Sequence, residues 1–206
     1  MSENSNKHFP QPSISEQDII GAMHAIQGYI DITPGDFKKI YQVAYTMAAE
    51  RLLQSVTAAE LMTKTVLCVE PAMTLMKAAA LLADYQVSGA PVVDNDAVLV
   101  GIVSEKDFLE EMGFGSNPSF MQIVTHCLHD KSCMIGNLHG RTVAEIMTKP
   151  PISGFPEMSV GSISSIFANQ KINRLPIVGK QGSIVGIVTR TDLAHAYNIC
   201  AEGGLQ

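Results

Sequence analysis

The sequence predicts an α/β protein of the α+β kind: two β-α-β-β-α repeats packed as a pseudo-symmetric pair, preceded by a helical hairpin. Three observations predict it. First, the chain resembles itself at an offset of 85 residues, without a gap, from Thr57 to about Met112. Thr57-Ala58-Ala59-Glu60-Leu61-Met62-Thr63-Lys64 thus faces Thr142-Val143-Ala144-Glu145-Ile146-Met147-Thr148-Lys149. Second, the hydrophobic period changes within each copy in one fixed order, from strand to helix, to two strands, to helix. Third, each copy has a strand running into a hydroxyl residue with a carboxylate three positions later: Gly101-Ile102-Val103-Ser104-Glu105-Lys106-Asp107 and Gly186-Ile187-Val188-Thr189-Arg190-Thr191-Asp192. A fixed period means a duplicated supersecondary unit. A unit this short cannot bury a stable core alone, so the two must pack as one domain.

Composition limits the function. The 206 residues are 46% hydrophobic and 17% charged, as in ordinary soluble domains. A net charge of −6 argues against a nucleic-acid partner, because phosphate neutralisation by Lys and Arg carries such binding. No apolar run approaches the roughly 20 residues that span a bilayer, so no membrane association is expected. Residues 1–14 are polar, include Pro10 and Pro12, and lack the apolar core of a secretion signal. A disordered tail and a cytoplasmic location are expected.

The hairpin is assigned to 15–55. Apolar residues at 19, 20, 23, 26 and 30 recur with helical spacing, Ser15 and Asp18 form a capping-box pair, and Gly28 is expected to end the helix. Thr33-Pro34-Gly35-Asp36 starts the next, with Thr at N-cap, Pro at N1 and Asp at N3. It is expected to run to about Leu53, with Phe37, Ile40, Tyr41, Ala44, Tyr45, Met47 and Ala48 in its stripe. Such a hairpin cannot cover its own apolar face. It should dock on the repeats or on its copy in another subunit, with the aromatic stripe as core or interface.

Repeat one is assigned to 56–112 and repeat two to 141–200, followed by a tail at 201–206. Each opens with an apolar run, Val66-Leu67-Cys68-Val69 and the weaker Ile152-Ser153-Gly154-Phe155. A helix follows, with apolar residues at 75, 78, 79, 82 and 83, matched by 160, 163, 166, 167 and 168. Two strands come next, Ala90–Val93 and Val98–Val103, matched by Leu175–Val178 and Ile184–Val188. Asp94-Asn95-Asp96 and Gly179-Lys180-Gln181-Gly182 join them as hairpin turns. Ser104 and Thr189 then cap the closing helices, with Asp107 and Asp192 in the first turn.

The connection 113–140 is longer than most in compact domains. Ser119–Leu128 has helical spacing. His126, Cys127, His129, Cys133 and His139 fall here, three of the six histidines and two of the four cysteines. Zinc sites close around four such ligands, but the Cys-x5-Cys spacing fits no common pattern, so no metal is expected. The stretch reads as a polar surface loop with Cys127 partly buried. A Cys127–Cys133 disulfide is disfavoured in a reducing compartment. Cys68 reads as core, and Cys200 sits near a frayed end.

The residues Ala59-Glu60-Leu61-Met62-Thr63, Val87-Ser88-Gly89-Ala90-Pro91-Val92-Val93-Asp94 and Gly101-Ile102-Val103-Ser104-x-x-Asp107, with their second-copy partners, carry a specific resemblance. The repeat resembles the CBS (cystathionine β-synthase) domain, and the tandem resembles a Bateman module. By chemistry alone, a helix start offers N–H donors to phosphate, a hydroxyl adds one, and a carboxylate one turn later accepts from a ribose diol. The resemblance implies the same roles: Asp107 and Asp192 on ribose, Ser104 and Thr189 near ribose or phosphate. It implies a base pocket lined by Val66 and Ile152, by Gly89, Ala90 and Pro91, and by Arg174, Leu175 and Pro176. Arg174 replaces Gly89 of the first copy and suits a bidentate phosphate contact, so the two clefts should differ. Lys106, Lys171 and Arg190 could add positive charge.

The leading expectation is a non-catalytic regulatory module. Its ligand would be AMP, ADP, ATP or S-adenosylmethionine, it would pair as a homodimer, and it would act on an unknown effector protein in trans. The alternative is a ligand-free structural module for oligomerisation or partner docking. Both copies keep a carboxylate where a cap would need only the hydroxyl, which favours a ligand. No nucleophile elbow, P-loop or His-Glu metal motif supports an enzyme.

Overall fold

The structure, a computed structural model, describes residues 15–26, 34–115, 118–129 and 138–202. The expected tail at 1–14, residues 203–206, Gly28, Thr33 and Cys133 lie outside the described residues, while residues 201–202 of the expected C-terminal tail are helical. The chain forms two compact units. One comprises the residues up to Met62 with Gly154–Leu175 and the chain from Val188 onward; the other comprises Thr63–Ser153 and Pro176–Ile187. The units do not follow the repeats. Each combines parts of both repeats: the first joins the Ala58–Leu61 lead-in to helices of repeat two, and the second joins the body of repeat one to the lead-in and most of the strand hairpin of repeat two.

The cause lies in two one-turn helices, α3 (Ala58–Leu61) and α7 (Val143–Ile146). A helix start leaves N–H groups without intrahelical partners. Thr57 with Glu60, and Thr142 with Glu145, form capping boxes at these starts. The next N–H groups turn to the opposite repeat. Ala58 N donates to Met158 O at 2.7 Å and Ala59 N to Pro156 O at 2.9 Å. Val143 N donates to Met73 O and Ala144 N to Pro71 O, each at 2.9 Å. The lead-in of each repeat therefore packs on the body of the other.

In the first unit, α1 (Glu16–Ala25) is capped by Ser15, and Asp18 closes the expected capping box. It ends at Ala25 with Ile26 as C-cap, ahead of the expected Gly28. Helix α2 (Pro34–Ser55) starts on the expected proline and runs two residues past Leu53. It packs on α1, on α8 (Val160–Gln170) and on α9 (Arg190–Glu202), so the hairpin docks on its own chain. Ala44, Ala48, Leu52 and Leu53 are buried. Tyr41 and Tyr45 stack on each other at 6.2 Å, and Tyr41 stays 40% exposed. The buried face is thus the small-residue side of the stripe. Gly161 of α8 lies under the Gln54 side-chain amide of α2. The first repeat has Met76 at that position, 68% exposed.

The core of the second unit gathers Val69, Leu75, Ala78, Leu82, Ala90, Val92, Val103, Val143 and Ile146. It joins α4 (Leu75–Asp84) to the hairpin β1 (Gly89–Val93) and β2 (Leu99–Ser104), and to α7. The hairpin is antiparallel, with Ala90 opposite Val103 and a register shift at Val92/Val93. Asp94 Oδ1 accepts from Asp96 N at 3.0 Å and Val98 N at 2.9 Å, which closes the expected turn. The leading strand is shorter than expected: Val66–Val69 makes one parallel bridge, Val69 to Val92. Ile152–Phe155 forms no strand. Gly154, at the position equivalent to Val69, is likewise a single bridge residue, so each run stays extended with one point of pairing. In the second copy, β3 (Arg174–Val178) pairs with β4 (Ile184–Thr189). After β2 come α5 (Glu105–Leu109), a π-helical turn (Glu110–Phe114) and the expected insertion helix α6 (Phe120–His129).

Two stability predictions follow from this packing. Gly101 lies against the lead-in of repeat two, and a Cβ there would stand 2.5 Å from Met147 Sδ and 3.3 Å from the Thr148 carbonyl oxygen. Gly101→Ala is expected to cost roughly 1–3 kcal/mol by overpacking, read as a lower unfolding midpoint in denaturant. Asp18 ties α1 to α2 through Arg51. The Arg51 guanidinium, then Ser15, hold its carboxyl well below the usual carboxylate range. A depressed folded-state pKa stabilises above the ordinary value of 3.8, and that contribution is lost as pH falls below it. The gap in melting temperature between wild type and Asp18→Asn should therefore be full at neutral pH and shrink below about pH 4.

Candidate functional site

The two strand-to-helix junctions adopt one geometry. Ser104, at the end of β2, is the N-cap of α5, with Asp107 at N3. Asp107 Oδ2 accepts from Ser104 N at 2.6 Å and from Ser104 Oγ at 2.7 Å. In the second copy Asp192 Oδ2 accepts from Thr189 N at 2.8 Å and Thr189 Oγ1 at 2.7 Å. The first helical N–H is also engaged: Glu105 N donates to Ser88 O at 3.1 Å, and Arg190 N to Asn173 O at 3.2 Å. The free donors that the sequence offers to phosphate are thus largely spent within the chain.

These contacts correct one inference. A cap was expected to need only the hydroxyl, which made the carboxylate a mark of ligand binding. The N-cap N–H is itself an orphan donor, and the carboxylate satisfies it. The same hydroxyl-carboxylate box starts α1, α3 and α7. At α3 and α7 it holds the Glu60 and Glu145 carboxyls below their ordinary range, chiefly through the backbone N–H of Thr57 and of Thr142.

Asp107 is bonded through its other oxygen as well. Thr148 Oγ1 donates to Asp107 Oδ1 at 3.0 Å. Thr148 arrives on the lead-in of repeat two, where its backbone pairs with Ile102 in both directions, at 2.9 and 3.3 Å. Sequence reasoning missed Thr148 as a site residue. The signal was present in the twofold Met-Thr-Lys of the lead-ins, Met62-Thr63-Lys64 and Met147-Thr148-Lys149.

The remaining candidates divide by burial. Val66 is half-buried on the extended run before β1. Gly89, Ala90 and Pro91 of β1 are buried, and Pro91 O accepts from Val69 N at 3.1 Å. Leu175 and Pro176 of β3 are buried as well, so these side chains belong to the core. Arg174 is half-buried at the first residue of β3, and Ile152 is half-buried on its extended run. Arg190 turns back to the Ile172 carbonyl, which its Nε meets at 3.2 Å. An apolar groove of about 820 Å³ opens between α4 and α5, lined by Leu82, Val87, Phe108, Leu109, Met112 and Leu138. Ser88 and Glu105, the chain neighbours of Gly89 and Ser104, also line it, while Ser104 and Asp107 do not.

Among the described residues, no group of three or more His, Cys, Asp or Glu side chains could hold a metal ion. His126 sits edge-on to Phe114 at 5.3 Å, while His129 and His139 are exposed. The Cys127 side chain lies outside the described residues, as does Cys133. Cys68 is half-buried, and burial pushes its thiol up. Among the described residues no helix is long and apolar enough to cross a membrane.

Comparison with known proteins accounts for the repeats. The profile of the CBS domain matches residues 58–113 and 143–199. A CBS domain-containing protein of Arabidopsis thaliana, the chloroplastic CBSX1, is 30% identical over 149 residues, 68% of this chain. The matched stretch spans 63% of that protein, so the chain covers less than two thirds of its length. The CBS domain of a membrane protein from Sphaerobacter thermophilus is similar at a TM-score of 0.59 and 32% identity, covering 76% of this chain and 97% of that one. A crystal structure of CBSX2 in complex with AMP is similar at a TM-score of 0.56 and 26% identity, covering 70% and 97%.

Asp107→Ala removes the acceptor of three hydrogen bonds, from Ser104 N, Ser104 Oγ and Thr148 Oγ1. It is expected to cost about 1–3 kcal/mol, with Thr148→Val costing about 1 kcal/mol or less, both read from denaturant unfolding.

Proposed function

The chain belongs to the CBS domain family, and from that premise we propose that it is a regulatory module binding an adenosine-containing ligand. Asp107 and Asp192 take the ribose diol, with Ser104 and Thr189 beside ribose or phosphate. A carboxylate has lone pairs beyond those its cap uses, and Asp107 Oδ1 carries only the Thr148 hydroxyl among the bonds described. Val66 and the backbone of Gly89-Ala90-Pro91 border the first cleft; Ile152, Leu175 and Pro176 border the second. Arg174, with no counterpart cation at Gly89, favours phosphate in the second. The observation that carries this reading is the AMP complex of a relative that matches along 97% of its length. AMP is therefore the first candidate, ahead of ADP, ATP and S-adenosylmethionine. The module catalyses no reaction, pairs as a homodimer and passes its state to an effector protein in trans. A ligand biases such an arrangement only by differing in affinity for its two states.

The capping boxes at α1, α3 and α7 favour a second reading, in which the carboxylates serve the fold alone and the chain is an oligomerisation or docking module. Thermal unfolding separates the two. A ligand at 100 times its dissociation constant adds about 2.7 kcal/mol, a shift of several degrees. Wild type is expected to rise with AMP, ATP or S-adenosylmethionine but not with inorganic phosphate, and Asp192→Ala to lose more of the rise than Asp107→Ala. No rise with any of these at millimolar concentration would establish the second reading.

A further inference from the structure

Two polar rungs join the helical run 105–114 to the segment 141–148. At one, Thr148 Oγ1 meets Asp107. At the other, Arg141 Nη1 donates to Glu111 Oε2. Glu111 follows Asp107 by four residues, one helical turn along the same run. The Glu111–Arg141 pair thus ties the end of repeat one to the lead-in of repeat two.

The second rung exists only where the insertion does. The positions at the repeat offset from Glu111 and Arg141 are Ala196 and Val56, both buried and apolar. Their equivalence is geometric as well as sequential. The Arg141 carbonyl accepts from Leu75 N at 3.0 Å, and the Val56 carbonyl accepts from Val160 N at 2.9 Å. The backbone contact is common to both copies, and the ion pair is an addition to one.

Arg141 is also built to let go. Its Nε donates to Glu145 Oε2 at 3.0 Å, within its own segment, so leaving Glu111 does not strand the guanidinium. The side chains of Arg141 and Glu111 are 29% and 31% exposed, which keeps the pair open to water and modest in strength. A weak, reversible rung one turn from the ligand carboxylate can be shifted from either side.

We propose that the Glu111–Arg141 rung couples helix α6, which meets the same helical run through the edge-on contact of His126 with Phe114, to the Asp107 site. With the rung closed, the segment 141–148 is held so that Thr148 meets Asp107; with it open, that meeting loosens. A ligand that engages Asp107 alters the Thr148 contact and, through the same segment, the Glu111–Arg141 pair and the run that carries Phe114. By linkage, a partner that binds helix α6 and whose affinity the ligand changes would change ligand affinity by the same factor. The inference rests on the adenosine-site reading and adds a regulatory input to that site.

The test uses the full chain, with AMP affinity by calorimetry and backbone hydrogen exchange by mass spectrometry. Glu111→Gln and, as a second variant, Arg141→Gln are compared with wild type and with Asp107→Ala. Without ligand, both rung variants are expected to exchange faster at Ile102 and Thr148. AMP should change exchange across α6 in wild type, and affinity in both rung variants should shift by about fivefold or more. If AMP binds wild type through Asp107 while the rung variants match it in affinity and exchange, the coupling is overturned and the site reading stands. If no adenosine ligand binds wild type, the site reading fails and the coupling falls with it.

Discussion

Ala58 and Ala59 donate their backbone N–H groups to the loop at Pro156 and Met158, as Val143 and Ala144 do to the loop at Pro71 and Met73. The rest of the architecture depends on that exchange. A helix of four residues gains almost nothing from its own hydrogen bonds. It persists here because its cap is boxed, its free donors are accepted by another part of the chain, and Ala58, Leu61, Val143 and Ile146 are buried. Neither repeat supplies all of those partners from its own sequence. The exchange also delivers Thr148 to Asp107, so the first carboxylate is furnished by both repeats.

Duplication provided two equivalent scaffolds, and a few substitutions made them different. Gly161 sits under the Gln54 amide of α2 in the second copy, while Met76 occupies the corresponding place in the first. Arg174 introduces a cation where the first copy has Gly89. Glu111 and Arg141 form an ion pair where the second copy has Ala196 and Val56. Each change is local and each lies on a shared backbone frame, so the asymmetry is chemical rather than architectural.

Much of the fold was legible because it is written in short-range chemistry. The Ser15–Asp18 box, the Pro34 helix start, the Asp94 turn and the junctions at Ser104 and Thr189 all depend on residues within four positions of one another. The limits of α1 and of the leading strands were less legible, since burial rather than local spacing decides them. The exchange of lead-ins could not be read from the repeat, because an alignment says which residues are alike and not which ones touch. Thr148 was missed for that reason. The hydroxyl-carboxylate pattern was legible, but its meaning was not: capping and ribose binding call for the same side chains.

The central claim is that the capped carboxylates retain capacity for a ribose diol. The backbone N–H groups of Ser104 and Thr189 report on it directly, since each donates to the carboxylate in question. We would follow their resonances by NMR while titrating AMP into the isotopically labelled chain. The account predicts saturable movement of both signals, with the Ile102 and Thr148 amides moving alongside Ser104. AMP at millimolar concentration that leaves both signals unmoved, or moves only signals remote from Asp107 and Asp192, would contradict it.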